Sequence, residues 1–119
     1  MRYAPRELTH REIALIKETM MSDQIRASHI LVSTDARSKD DAKAETEALH
    51  QKITGGADFA DIARETSDCP SGRSGGDLGH FGRGMMVPEF EKAAFDLEVG
   101  ALSGLVETSF GYHLILRTE

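Results

Sequence analysis

The chain lacks tryptophan, has one cysteine and three prolines in 119 residues, and is short of positive charge. The lone cysteine, Cys69, has no internal partner for a disulfide. With five scattered histidines it gives no Cys–His spacing for structural zinc, so no metal is expected. Fourteen Lys and Arg stand against twenty Asp and Glu, a net charge of −6. That balance argues against nucleic acid or an anionic membrane as a partner. No apolar run approaches the roughly 18 residues of a membrane helix. The N-terminal stretch carries Glu7, Glu12 and Glu18 and no apolar core, unlike a secretory signal or transit peptide. A soluble, cytoplasmic monomer is the expectation.

What is present suits one globular domain. Apolar residues make up 39% and charged residues 29%, near ordinary averages, and the length leaves no room for a second core. Six of the eleven glycines fall between Gly72 and Gly84, which marks one special loop rather than low complexity.

Residues 1–24 read as an extension, helical or mobile, and 25–119 as the domain. In the extension Leu8, Ile13, Leu15, Ile16 and Met20 could line one helical face, with Thr9 as cap; docking on a partner is the alternative role. Met21-Ser22-Asp23 also resembles a natural start, which would make the first twenty residues an over-long reading. In the domain, His29-Ile30-Leu31-Val32 predicts a buried strand. Ala42, Glu45 or Thr46, Leu49 and Ile53 predict a helix that starts at Ser38 or Asp40 and stops at Gly55-Gly56. Asp58 caps a second helix with Phe59, Ile62, Ala63 and Thr66 on one face. Ser67 to Gly84 reads as irregular. Pro88 opens a third helix carrying Val87, Phe90, Ala94 and Leu97, and Leu102–Thr108 and Tyr112–Arg117 read as a hairpin. This order predicts an α+β fold, a mostly antiparallel sheet covered by helices.

Six blocks, in order, carry a family pattern: Ser28-His29-Ile30-Leu31-Val32; Gly56-Ala57-Asp58-Phe59-Ala60; Cys69-Pro70-Ser71-Gly72; Gly75-Gly76-Asp77-Leu78-Gly79; Met86-Val87-Pro88-Glu89-Phe90-Glu91; and Phe110-Gly111-Tyr112-His113-Leu114-Ile115. From about Ala27 to Leu116 the chain resembles the parvulin family of peptidyl-prolyl cis/trans isomerases. The resemblance implies a βα3βαβ2 fold, related to the FKBP fold, with a four-stranded antiparallel sheet and four helices. It adds a strand at His80-Phe81-Gly82 that is too short to read directly.

The implied reaction is rotation about an X–Pro bond, against a barrier of about 18–20 kcal/mol. No bond is broken and no electron moves, so neither metal nor cofactor is required, and the partners are proline-containing peptides and folding chains. The enzyme must hold the twisted amide better than either planar form. By resemblance Leu78, Met86 and Phe90 form the proline pocket and Phe110 adds an aromatic wall; simple core packing is the alternative. Met86 is assigned because it directly precedes Val-Pro-Glu-Phe, and its neighbour Met85 is left out. The resemblance places His29 and His113 beneath the catalytic centre, with Thr108 and Ser28 as candidate hydrogen-bonding neighbours. Cys69 would act electrostatically on the twisting carbonyl rather than by covalent attack. Asp77 is expected to order its loop, and His50 and His80 have no role. Arg37 and Lys39, beside Asp35, Asp40 and Asp41, make a poor phosphate clamp. Unmodified segments with an apolar or small residue before proline are the expected substrates. A module that binds peptides without catalysis is the alternative function.

Overall fold

The computed structural model describes residues 9–11 and 24–119. Thr9 precedes two helical residues, His10 and Arg11, and all three are exposed. The rest of the expected N-terminal helix, and the candidate start at Met21, lie outside the described residues.

Four strands and three α-helices follow: β1 (Gln24–Ser33), α1 (Lys39–Thr54), α2 (Phe59–Thr66), β2 (Asp77–Gly82), α3 (Pro88–Asp96), β3 (Val106–Thr108) and β4 (Gly111–Arg117). The fourth helix implied by the resemblance is a 3₁₀ helix, Pro70–Ser74, which falls third in chain order and gives βα3βαβ2 with one short member. The sheet runs β2-β1-β4-β3, and every pairing is antiparallel.

Local chemistry explains the helix ends. The Ser38 hydroxyl accepts the Asp41 N–H, Asp40 and Asp41 sit in the positive first turn, and Gly55 closes α1. The Asp58 carboxylate caps α2 in the same way, through Asp61 N–H. Pro88 occupies the first turn of α3, where a missing N–H is harmless. In α1 the buried member of the Glu45/Thr46 pair is Thr46, whose hydroxyl bonds the Ala42 carbonyl at 2.7 Å.

Two expectations need correction. The segment read as irregular holds the 3₁₀ helix and β2, the strand that only the family resemblance suggested. The expected strand Leu102–Thr108 keeps only its last three residues, and Leu102 makes one isolated bridge to Leu116. Ser103 is the reason. Its hydroxyl takes the Ile115 N–H at 2.9 Å, a bond the ladder would otherwise use.

Strand alternation divides the interior in two. In β1, Ile30 and Val32 face α1 and α2, together with Tyr112 and Leu114 of β4. Ile25 and Ala27 face the other way, toward Phe81, Phe90, Ala94 and Ile115. The site lies on this second face, where α3 covers only part of the sheet.

Candidate active site

His29 belongs to β1 and His113 to β4. The register pairs His29 with Ile115 and Leu31 with His113, so the two histidines are diagonal neighbours on one face. Their rings stack at 5.2 Å, 18° from parallel, and Nδ1 meets Nδ1 at 3.1 Å. Phe90 of α3 meets both rings nearly at right angles, at 5.4 and 5.3 Å. Burial pushes both imidazoles down to about 4, and the charge of His113 adds to the effect on His29. Both rings are therefore neutral at pH 7, and one proton lies between the two Nδ1 atoms.

The direction of that bond follows from the atoms behind it. His29 Nε2 is buried with no partner. A bare lone pair there is less costly than a buried N–H without an acceptor. We therefore assign the proton to His29 Nδ1, which donates to His113 Nδ1. His113 then carries its own proton on Nε2 and donates to Thr108 Oγ1 at 2.7 Å. Thr108 also accepts the Phe110 N–H at 3.2 Å. Thr108 thus stands one hydrogen bond behind His113 and holds its tautomer. Ser28, the other expected neighbour, bonds neither histidine, because alternation along β1 turns it to the opposite face.

Above the histidines lies a cavity of about 360 Å³. Leu78, Met86 and Phe90 line it, and Phe110 stands at its mouth. Cys69 lines it as well, half-buried at the start of the 3₁₀ helix. The Ser71 hydroxyl donates to Cys69 Sγ at 3.2 Å. Seven of the eight expected site residues border one cavity, and Thr108 is the eighth. Sequence reasoning missed Leu31, Met85 and Val87. Leu31 was legible as the next residue on the His29 face. Met85 escapes the pattern because the Met-Val-Pro-Glu-Phe block takes only one methionine of the pair.

The glycine-rich loop sets the far wall. Gly76 passes so close to β1 that a Cβ would collide with the His29 carbonyl oxygen, and its φ is +87°. Asp77 accepts the Gly79 N–H at 2.9 Å and takes two bonds from Arg26, at 3.2 and 2.6 Å. These bonds bracket Leu78, so Asp77 orders the loop as expected. His80 is exposed and pairs with Glu119, away from the cavity.

Arg37 is held by Asp68 at 2.6 Å, by Glu45 at 3.5 Å and by the Ser33 carbonyl at 2.8 Å. Burial opposes the charge of Asp68, but bonds from Arg37 and the Ser33 N–H outweigh it and hold the carboxyl below its usual range. Lys39 reaches Glu107 at 2.7 Å.

Among the described residues no group of three His, Cys, Asp or Glu is placed to hold a metal. No described helix is long and apolar enough to cross a membrane.

Comparison with known proteins agrees with this geometry. Residues 13–119 match the family model of the PPIC-type PPIase domain. The chain is 39% identical to the peptidyl-prolyl cis-trans isomerase Pin1 of Digitalis lanata, over 83% of this chain and 99% of that protein. It is 47% identical to the chaperone SurA of Chromobacterium violaceum over 82% of this chain, but spans only 23% of SurA. The solution structure of TbPIN1 superposes with a TM-score of 0.76 at 36% identity, covering 83% of this chain and 100% of that one. The apolar cavity, the paired histidines and these similarities together place the chain in the PPIC-type, or parvulin, family of peptidyl-prolyl cis/trans isomerases.

Proposed function

We propose that the cavity accelerates rotation about X–Pro bonds of unphosphorylated peptides and folding chains, without a covalent intermediate. Leu78, Met86 and Phe90 would seat the proline ring. Twisting the amide removes its resonance and makes the carbonyl less polar, and an apolar cavity favours that state over the planar ones. Cys69 would border the rotating carbonyl as a polarisable neighbour. His29, His113 and Thr108 act as positioning residues, since neutral rings locked into a buried chain are poor proton carriers.

The observation that carries the choice of substrate is the pairing of Arg37 and Lys39. Both cations are already bonded to carboxylates, so a phosphate would have to displace Asp68 or Glu107 to reach them. We place the activity in the cytoplasm, a reading supported by the unpaired Cys69.

Exchange NMR on Ala-Ala-Pro-Phe, Ser-Pro and phospho-Ser-Pro peptides tests the proposal. The unmodified peptides should be isomerised, and the Met86→Ala/Phe90→Ala double variant should lose at least a hundredfold, since about 1.36 kcal/mol changes a rate tenfold. Binding without catalysis by the folded protein would leave the peptide-holding module as the better reading. Preference for the phosphopeptide would overturn the substrate assignment.

A further inference from the structure

β1 is paired with β4 from Ala27 to Ser33, but on its other side the pairing with β2 ends at Ser28. Alternate residues of a strand offer their backbone groups to the same side, so His29, Leu31 and Ser33 all face this unfinished edge. The His29 N–H goes to the Gly76 carbonyl at 2.9 Å. Beyond it no strand continues, and two side chains take over. The Ser67 hydroxyl accepts the Leu31 N–H at 3.1 Å, and the Asp68 carboxylate accepts the Ser33 N–H at 2.8 Å. Between them the Asp68 N–H reaches the Leu31 carbonyl at 2.8 Å.

Ser67 and Asp68 thus complete a ladder that β2 leaves short. Both belong to the connection between α2 and the 3₁₀ helix, and Cys69 is its last residue. The Cys69 N–H is drawn into the same set, to Ser67 Oγ at 3.3 Å. Leu31, which carries two of these bonds, lines the cavity together with Cys69.

Charge locks the arrangement. Arg37 Nη1 donates to Asp68 Oδ2 at 2.6 Å and to the Ser33 carbonyl at 2.8 Å. Ser33, Arg37 and Asp68 therefore form a closed ring of contacts. Arg37 is 28% exposed against 64% for Lys39, so water screens this pair less than the Lys39–Glu107 bridge. The residues assigned to the proline ring lie elsewhere, Leu78 on β2, Phe90 on α3 and Met86 just before it.

We infer that Asp68, clamped by Arg37, is a positioning residue for the isomerisation, because it fixes Cys69 at the cavity wall beside the rotating carbonyl. This rests on the isomerase reading above and gives Arg37 a use other than phosphate recognition. Asp68 itself touches no part of the cavity. Opening the latch frees Cys69 and leaves the proline pocket as it was, so turnover suffers and binding does not.

Two measurements on the whole chain test this. Exchange NMR over a series of Ala-Ala-Pro-Phe concentrations separates kcat from KM. Alkylation by iodoacetamide reports on Cys69 alone, since it is the one thiol in the chain. Asp68→Ala should lower kcat roughly tenfold to a hundredfold, the range reached when a group is misplaced by about 1 Å, with KM within about twofold. Its Cys69 should be alkylated several-fold faster than in the wild type. Asp68→Asn keeps an acceptor for the Ser33 N–H and should retain most of the wild-type kcat. Arg37→Ala leaves the carboxylate on Ser33 alone and should fall between these two. Lys39→Ala opens the exposed bridge at the start of α1 and should change neither measurement. An unchanged kcat in folded Asp68→Ala would overturn the inference. So would a raised KM at unchanged kcat, an unchanged alkylation rate, or an Asp68→Asn variant as slow as Asp68→Ala. If Asp68→Ala does not fold, the comparison of Arg37→Ala with the wild type decides. Full kcat in Cys69→Ala would instead remove the role given to that thiol above, while the alkylation rates still show whether Asp68 holds it. No catalysis of any peptide by the wild type would sink the isomerase reading itself.

Discussion

At the scale of single residues, burial keeps the two imidazoles beneath the cavity uncharged. His29 and His113 are held at about 4, below the 6.5 they have when free in the unfolded chain. The unfolded chain therefore binds these protons first as the medium is acidified, and acid favours unfolding. The contribution is complete above pH 6.5 and is lost progressively as pH falls toward 4. Urea denaturation near pH 5 should show stability falling by roughly 1.4 to 2.7 kcal/mol per pH unit from one to two extra protons on the unfolded chain. Nitrogen NMR of the folded protein should show neither ring titrating until close to pH 4. A ring that protonates near 6.5 would remove the basis for the neutral pair. The histidines and the pocket trio were legible in the sequence because each sits in a short block of fixed order. Their hydrogen-bonding directions were not, because Ser28, next to His29, is nearer in sequence than Thr108, five residues before His113, and only strand alternation turns Ser28 away.

At the scale of elements, helices were more legible than strands. α1 and α2 have a side-chain cap at the start, and a periodic apolar face fills the interval. β2 has neither signal. Two of its six residues are glycine, and its one fully buried side chain is Phe81. β3 was read too long because Ser103 looks like an ordinary strand residue until its hydroxyl is seen replacing a ladder bond. The two kinds of element should respond differently to substitution. Ser38→Ala removes one cap and should cost about 1 kcal/mol of stability with isomerisation retained. Gly76→Ala demands a positive φ of alanine and drives its Cβ into the backbone of β1 at His29. It should cost at least about 1–3 kcal/mol and lower activity even where the variant remains folded. Denaturation and peptide exchange on the same samples separate the two effects. Full activity in a folded Gly76→Ala protein would show that the loop does not set the pocket.

At the scale of the whole molecule, the net charge of −6 acts on every approaching peptide. With Arg37, Lys39 and Arg26 all paired to carboxylates, these cations do little to offset it locally. Peptides with glutamate on both flanks of the X–Pro segment should be isomerised more slowly than neutral ones at about 10 mM salt. The gap should close as the screening length shrinks from roughly 30 Å toward 8 Å at physiological ionic strength. Rates measured across that range check this, and a gap independent of salt would point to direct contacts instead. The α+β class was legible from element order alone.

Alternation along β1 has a further consequence for how such a chain can vary over its history. Consecutive residues of this strand serve opposite interiors: His29 belongs to the site, and Ile30 to the packing under α1 and α2. The strand is therefore read in a fixed frame. Losing or gaining one residue within it would exchange every assignment downstream, sending the histidine into the hydrocarbon interior and an isoleucine to the floor of the cavity. Fold and chemistry would fail in the same event. The connection between β1 and α1 has no such frame. Length change is thus tolerable where the chain turns and forbidden where it runs straight.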